Sequence, residues 1–540
     1  MAQDKKFSVI IPLYKDNYKT LGQSLFYLHE QDYSNFEVIF SYNSPTLSTT
    51  MVEVRKILKK EKWLVAYKEV DAGYDKKLKA GNHCRAFNKG AEVATGDYLL
   101  FLDPDICILP GILREYKDAF DAHPDVSFVY GDYDFEGNVG RVKGRRYSEY
   151  ELRCANYVSG AFPIKKSAFK GWDSSVLSLQ DWDMWYSAID AGAKGFYLSR
   201  PCFIAAVPES KGISAEGADN WIERYGYIRS KHGFPVSDTV VTSLGAPDHA
   251  TNTAKLLGVD TRVLSTLHTF KPNTYKNVYL IGFYTQSNAD DPQLALRQHV
   301  GVFHEAGDLQ KPMVSGKRII HWVGTDIFML QHKTSWMGVQ FITKMLSESD
   351  LGIIHLTECQ QTHDELLELG IESQIVPLPS KILYDVIELP KKFTVGIYVN
   401  PTQDMYFEDT MYELADAMPD IDFKFFGDRY PKKDGNKEWV GYVNMATFLP
   451  TISALIRCTR HDGLPLSPIE AMMAGRQVIA THPLKYAVKH DLKNGEVDIA
   501  TLITQIRELQ KTTLDPRASQ YWREVMDYTK FKKTIEKILK

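Results

Sequence analysis

Apolar positions in this chain follow two spacings that alternate from end to end. The runs FSVIIPLY (7–14), FEVIFSY (36–42), WLVAYKEV (63–70), DYLLFLD (97–103) and VSFVYGDY (126–133) are short, rich in β-branched and aromatic residues, and bounded by polar or Gly/Pro residues. That pattern predicts strands buried on both faces. Between them, segments such as KTLGQSLFYLHEQ (19–31) place apolar residues at helical intervals. Strand and helix in turn predict βα units around largely parallel sheets, which bind ligands beyond the carboxyl ends of their strands. A polar stretch near Lys231 to Asp238 precedes TVVTSLGAP (239–247), which opens a second βα series. RIIHWVGTDI and DLGIIHLTE fall in its first half; FTVGIYVN, IDFKFFGD, ALIRCT and QVIATH fall in its second. VPLPSKILYDVIELPKK (376–392), with three prolines, reads as a hinge between the halves. The division expected is therefore residues 1–235, 236–380 and 381–540. The final segment ASQYWREVMDYTKFKKTIEKILK reads as one amphipathic helix. Its apolar stripe suits a core face better than a membrane surface.

Composition narrows the class. At 540 residues the chain exceeds a single hydrophobic core, and 44% hydrophobic with 24% charged residues excludes a disordered or fibrous protein. The net charge of −4 supplies no chain-wide drive toward nucleic acid, so nucleic acid is disfavoured as a partner. Six scattered cysteines lack metal-ligand spacing and suit a reducing compartment. The N-terminal apolar run is broken by Pro12, and no run nears the about 20 apolar residues of a membrane span, so a cytoplasmic protein without a transmembrane segment is expected.

Two segments carry chemistry. In DYLLFLDPDICILPG, Asp103 and Asp105 stand two apart where a strand ends, so an extended backbone puts both carboxylates on one side. Hard oxygens of this kind suit Mg²⁺ or Mn²⁺ and make Asp103 and Asp105 candidate metal ligands. A solvated Asp-Pro-Asp turn is the competing reading of the dipeptide taken alone. In TRHDGLPLSPIEAMMAGRQVIATHP, a strand leads into a helix that Ser467-Pro468 would open, with Ser467 as N-cap and free amides able to hold a diphosphate. Glu470 in its first turn would reach a ribose. A buried helix stopped by Gly475 is the competing reading.

The first region resembles family 2 glycosyltransferases of the GT-A fold. The matches are Ile11-Pro12, Gln31, Asn35 to Ile39, Gly81-Asn82, Arg85, Asn88, Gly90 and Gly96-Asp97 before Asp103-Pro104-Asp105. The resemblance continues through NYVSGAFPIKKSAFKGWDSSVLSLQDWDMW, similar to the family's acceptor region, with Gln180-Asp181 where the family has Glu-Asp. It implies an inverting, metal-dependent transfer in which Asp181 is the base that takes the acceptor hydroxyl proton. It also implies donor contacts at Pro12, Asn43, Asn82, Arg85 and Asp103. Asn43 stands where the family carries an acid for the base of the nucleotide, and the histidine that often follows the acceptor region has no counterpart in VPESKGIS. Alone, Asp181 also reads as an acid favoured at a helix N-terminus.

The last region looks like the donor site of family 4 glycosyltransferases of the GT-B fold, two acids eight apart around an apolar, Gly- and Pro-containing run. Asp462 and Glu470 hold those positions, followed by Ala471, Met472, Ala474 and Gly475. By resemblance, Asp462 is catalytic at the sugar, Ser467 and Glu470 bind nucleotide, and Gly245 forms a glycine loop facing the donor. His321, Gly324 and Asp326 sit where acceptor contacts occur, although His321 more often reads as a core histidine. Arg457, Arg460 and Arg429 are surface candidates for the diphosphate. The resemblance implies an α/β protein with a GT-A fold followed by a GT-B fold of two Rossmann-like halves. Its function would be bifunctional: UDP- or other NDP-sugar donors, Mn²⁺ or Mg²⁺, a glycan or glycolipid acceptor, an inverting first site and a retaining second one, in polysaccharide or surface-glycan assembly. Two alternatives remain: a single transferase site with a non-catalytic binding module, and a phage-type enzyme acting on modified DNA bases.

Overall fold

Phe7–Leu13 (β1) is buried along its whole length, as a two-sided strand requires, and lies parallel to both Phe36–Tyr42 (β2) and Tyr98–Phe101 (β4). The computed structural model describes residues 5–14, 17–78, 81–138, 140–206, 221–243, 247–263, 275–283, 304–305, 308–312, 315–332, 343, 346–347, 352–380, 382–400, 404–427 and 432–540. These form two units, residues 1–236 and 237–540.

In the first unit a mixed sheet contains Lys68–Asp71 (β3), Ile106–Ile108 (β5), Phe128–Phe135 (β6), Arg141–Val142 (β7), Ile164–Lys165 (β8) and Gly195–Ala205 (β9). Its order is β3-β2-β1-β4-β8-β6-β9-β5, with β7 on β6. The strands are parallel from β3 to β4; β8 then runs antiparallel to β4 and β6. Helices Leu21–His29 (α1), Leu47–Leu58 (α2), Gly81–Val93 (α3), Ile112–Ala122 (α4), Glu149–Cys154 (α5) and Gln180–Asp190 (α6) join the strands. The run WLVAYKEV yields a strand only from Lys68. Upstream the backbone turns, with the Leu64 N–H donating to the Glu61 carbonyl and Val65 to Trp63, while Trp63 stacks on His29 at 5.2 Å. There the apolar residues were spent on a turn and a ring contact.

Among the described residues the second unit has two larger sheets and a two-stranded ribbon. One is wholly parallel, in the order β11-β10-β12-β15-β16-β17, from Thr239–Ser243 (β10), Asp260–Val263 (β11), Asn277–Ile281 (β12), Arg318–Trp322 (β15), Ile353–Thr357 (β16) and Gln374–Ile375 (β17). His304–Glu305 (β13) and Asp308–Pro312 (β14) form a separate ribbon. The other sheet has the order β20-β21-β19-β18-β22-β23-β24, from Thr394–Val399 (β18), Asp422–Gly427 (β19), Lys432–Asp434 (β20), Lys437–Gly441 (β21), Ala454–Arg457 (β22), Gln477–Ala480 (β23) and Val488–Lys489 (β24). Only its β20–β21 pair is antiparallel.

Residues 382–391 carry no helix or strand, but they are tied down rather than free to hinge. The fully buried Arg476 guanidinium donates to the carbonyls of Ile387, Glu388 and Leu449, and the Ile387 N–H donates to Ala474. Buried donors of this kind must be satisfied, and the strap supplies the acceptors. The C-terminal segment is two helices, Arg517–Val525 and Tyr528–Leu539, because Asp527 caps the second by accepting from the Thr529 and Lys530 N–H groups. Phe531 and Ile535 are buried, as a core face requires, and this helix packs against Pro247–Leu257.

Candidate active site

The carboxyl ends of β1, β2 and β4 share one edge of the first sheet. Pro12 lies in the last turn of chain of β1, and Asn43 follows β2 directly, its N–H donating to the Leu13 carbonyl. Asn43 is 2% exposed, and its side-chain oxygen, like the Ser41 hydroxyl beside it, is buried without a hydrogen-bond partner among the described residues. Orphaned acceptors cost free energy, so this edge has capacity for a polar ligand.

Beyond β4, the Leu102 N–H still pairs with Ile10, then the chain turns and the Ile106 N–H closes on the Asp103 carbonyl. The Ser24 hydroxyl holds the Pro104 carbonyl from α1. Asp103 and Asp105 therefore leave the sheet from a fastened turn. His83, on α3, sits with Nε2 3.4 Å from Asp103 Oδ1, its ring held edge-on against Phe87. Surrounding protein, and then the Asp103 charge, push the Asp105 carboxyl up to about 6. Two acids crowded in this way, with no lysine or arginine ion-paired to either among the described residues, suit a divalent cation. The described residues hold no cluster of three or more such ligands, so water and substrate oxygens would complete the shell.

Asp181 enters from the other side of the unit, in the first turn of α6. Its carboxylate accepts from the Asn156 amide at 3.0 Å and from the Trp182 N–H at 2.8 Å, while burial raises its pKa against those bonds. Gly160 is the joint. A Cβ there would lie 2.7 Å from the Trp172 ring and 3.1 Å from Asp181 Cβ. Trp172 also packs on Phe87 of α3 and, at 5.4 Å, on Phe101, the last residue of β4. That indole packs the Gly160 turn against β4, the strand that leads into Asp103 and Asp105. His83, Asn156 and Trp172 escaped the sequence reading. Each is an ordinary residue in a helix or loop, and only the chain crossing brings it to the site.

Other candidates are placed differently. Asn82 directs its amide to the Asp75 backbone, accepting from its N–H and donating to its carbonyl at 2.8 Å each, so it fastens the loop before α3 instead of facing a donor. The Arg85 guanidinium lies over Gly73, whose φ of +68° and missing Cβ leave room for it.

In the second unit the helix begins at Leu466, two residues ahead of expectation, with Pro465 at its cap. Ser467 is inside the first turn and is not the N-cap. Glu470 accordingly lies in the second turn, where it accepts from the Ser380 hydroxyl at 2.9 Å and burial pushes it up to about 7. Asp462 accepts from Arg457 Nε at 2.9 Å, and that guanidinium also lies against the rings of Tyr398 and Tyr406, so Arg457 is an engaged, mostly covered partner rather than a surface cation. Arg460 is held by the Gly495 carbonyl and Glu496. Gly324, at φ +89°, meets Gly463 so closely that a Cβ would lie 2.2 Å from the Gly463 nitrogen. The backbone of the acid-bearing loop is thereby pressed against the first half, with Glu358 beneath it accepting from the Leu464 N–H. Burial, with Asp326 and Asp462 adding to it, raises Glu358 to about 8. His321 is a core residue, fully buried, bonded through Nδ1 to the Tyr279 hydroxyl and lowered to about 3 by burial. Asp326 is tied to the N–H groups of Phe283, Val323 and Ile327. Gly245, Arg429 and the segment VPESKGIS lie outside the described residues.

Residues 8–176 match the family model described as Glycosyl transferase family 2. An uncharacterized glycosyltransferase of Haemophilus influenzae is 30% identical over 108 residues, covering 18% of this chain and 37% of the relative. The uncharacterized protein y4gI of Sinorhizobium fredii is 26% identical over 132 residues, covering 24% of this chain and 13% of the relative. The chain thus spans well under two thirds of either relative. Similar solved structures include S. aureus TarS 1-349 in complex with UDP, at 18% identity and a TM-score of 0.32 over 42% of this chain and 65% of that one. They also include the mannosyltransferase PcManGT from Pyrobaculum calidifontis in complex with GDP-Man and Mn²⁺, at 19% identity and a TM-score of 0.32 over 43% and 64%. Among the described residues no helix is long and apolar enough to cross a membrane. The chain therefore carries a glycosyl transferase family 2 domain at residues 8–176, seated on the mixed α/β sheet of the first unit.

Proposed function

We propose that the protein is an inverting glycosyltransferase that moves a sugar from a UDP- or other NDP-sugar to a hydroxyl of a glycan or glycolipid, in polysaccharide or surface-glycan assembly. The observation that carries this reading is the fastened Asp103-Pro104-Asp105 turn beyond β4, which crowds two carboxylates that no described lysine or arginine pairs, at the same sheet edge as the unpartnered Asn43 and Ser41 oxygens. Asp181 takes the acceptor hydroxyl proton as that oxygen bonds to the anomeric carbon, and the bond from that carbon to the diphosphate oxygen breaks. A raised pKa makes its carboxylate a better proton acceptor than an exposed aspartate. Asp103 and Asp105 would hold Mn²⁺ or Mg²⁺, which would offset the charge of the departing nucleoside diphosphate. Asn43 and Ser41 offer their unpaired oxygens to the donor's base. Replacing Asp103 and Asp105 together by Ala abolishes transfer on this reading while thermal unfolding stays near that of wild type. Full turnover of the double variant, or of wild type in excess chelator, refutes the metal assignment.

For the second unit, paired parallel sheets support a GT-B-like arrangement, and a second, retaining site is one reading of it. The Arg457–Asp462 ion pair and the Gly324–Gly463 approach favour the other, a binding module, because the acid expected at the sugar is already neutralised and its loop is pressed into the first half. Product analysis with Asp103 and Asp105 replaced decides: residual sugar transfer that persists when Asp181→Asn is added and is lost with Glu470→Ala restores the two-enzyme reading.

A further inference from the structure

We propose that the first unit carries a docking surface for an anionic lipid bilayer, made by the turn after α2 and the apolar groove beside it. It stands apart from the transfer reading, since Asp103, Asp105 and Asp181 take no part in it. The stretch RKILKKEKWLVAYK (55–68) holds six basic residues against one acid, in a chain whose net charge is −4. Positive charge is therefore concentrated here against the balance of the whole.

Ion pairs take up only part of it. Arg55 is bonded to Glu69, Lys56 to Glu53 at 2.6 Å and Lys68 to Glu37 at 2.8 Å. Lys59, Lys60 and Lys62 are exposed and have no ion-pair partner among the described residues. Glu61 between them accepts from the Trp63 indole N–H at 3.0 Å. Of the acids next to the groove, Asp32 is paired with Arg114 at 2.9 Å and Glu30 lies 3.8 Å from His29. The backbone turns tightly at the lysines: the Lys60 N–H donates to the Ile57 carbonyl, Glu61 to Leu58 and Lys62 to Lys60. Three uncompensated ammonium groups thus stand on a fastened turn that runs straight into Trp63.

From Trp63 onward the surface is apolar. Leu28, Phe36, Val38, Trp63, Leu64 and Val65 line a groove of about 370 Å³. It opens because β3 pairs with β2 only over Ile39–Tyr42, so the first residues of β2 lack a strand on that side. Val65 is 89% exposed. Phe26, 57% exposed, lies one turn before His29 on α1, and His29 stacks on Trp63 at 5.2 Å, so both exposed apolar side chains flank one groove. Ammonium groups beside exposed apolar carbon fit a partner that is anionic at its surface and apolar just beneath, as a bilayer interface is. Nucleic acid fits less well, because Trp63 gives one face to His29 and its N–H to Glu61, and the most exposed side chain is aliphatic rather than a stacking platform. The groove lies at the amino end of β2, and the candidate donor edge lies at the carboxyl ends of the same parallel strands, about 20 Å away along a seven-residue strand. Docking here leaves that edge to the aqueous side.

The test is co-sedimentation of the full chain with vesicles of phosphatidylcholine, alone or with about 30% phosphatidylglycerol. On this proposal only the anionic vesicles bind, and binding falls as salt rises from about 0.05 to about 0.5 M. Replacing Lys59, Lys60 and Lys62 together by Ala weakens binding about 10²-fold, at about fivefold per lysine, and Val65→Asp weakens it about 10-fold. All four side chains are exposed, so an unchanged thermal unfolding temperature is the folding control. No binding to anionic vesicles, equal binding to neutral ones, or unchanged binding in either variant overturns the surface. An oligothymidylate that binds more tightly than the anionic vesicles also overturns it, in favour of a nucleic-acid surface. Vesicle binding by a chain without transfer activity leaves the surface standing and overturns the reaction reading; transfer without vesicle binding does the reverse.

Discussion

Replacing Asp181 by Asn separates the base from its setting. The asparagine oxygen can still accept from the Trp182 N–H, but its NH₂ then faces the Asn156 amide nitrogen, which donates to Asp181 in the native protein. Asn156 is not free to flip, because its own oxygen accepts from the Val158 N–H at 3.1 Å. One charge-assisted hydrogen bond is lost, worth about 1.5–3 kcal/mol. Against it, the variant no longer buries a charge, a cost visible in the upward shift that burial imposes on Asp181. The two effects oppose, so net destabilisation stays near about 1–2 kcal/mol, and the melting temperature of a unit this size moves by about 2–4 °C per kcal/mol. Turnover responds on another scale: losing a general base removes about 10²- to 10⁴-fold. The assay is nucleoside diphosphate release with saturating donor and acceptor, beside scanning fluorimetry and donor titration. A variant with near-native turnover refutes the assignment, and so does an NMR product assignment showing a retained anomeric centre.

Two further perturbations test the packing arguments. Gly160→Ala drives a methyl to 2.7 Å from the Trp172 ring, so it destabilises the first unit by about 1–3 kcal/mol and lowers turnover more than donor affinity; unchanged kinetics would show that the joint does not set the site. Glu470 has its pKa raised from 4.5 to about 7 by burial, so the folded state holds that proton more tightly than the unfolded chain. The stability it contributes is full below about pH 4.5 and lost as pH rises through about 7, a change of about 3 kcal/mol that Glu470→Gln should remove. Urea unfolding at about pH 5 and about pH 8 reads it, and an identical pH slope in the variant contradicts the burial argument.

By itself the sequence determined the elements that depend on local pattern. β1, β2 and β4 form where buried apolar runs leave no solvent-facing alternative, and Asp103 and Asp105 fall at a strand end because the run stops there. A polar interval near Lys231 to Asp238 separates two βα series in the sequence. What tertiary structure decided depends on partners far along the chain. Trp172 packs on Phe87 of α3 and Phe101 of β4, both more than about 70 residues earlier in the chain. The segment 376–392 reads as a hinge by its three prolines, yet Arg476, about 90 residues beyond Ile387 and Glu388, holds it. A hydrogen bond or ring contact across such separations leaves no periodic trace, because one residue on each side satisfies it and the intervening chain carries no record of where it will fold.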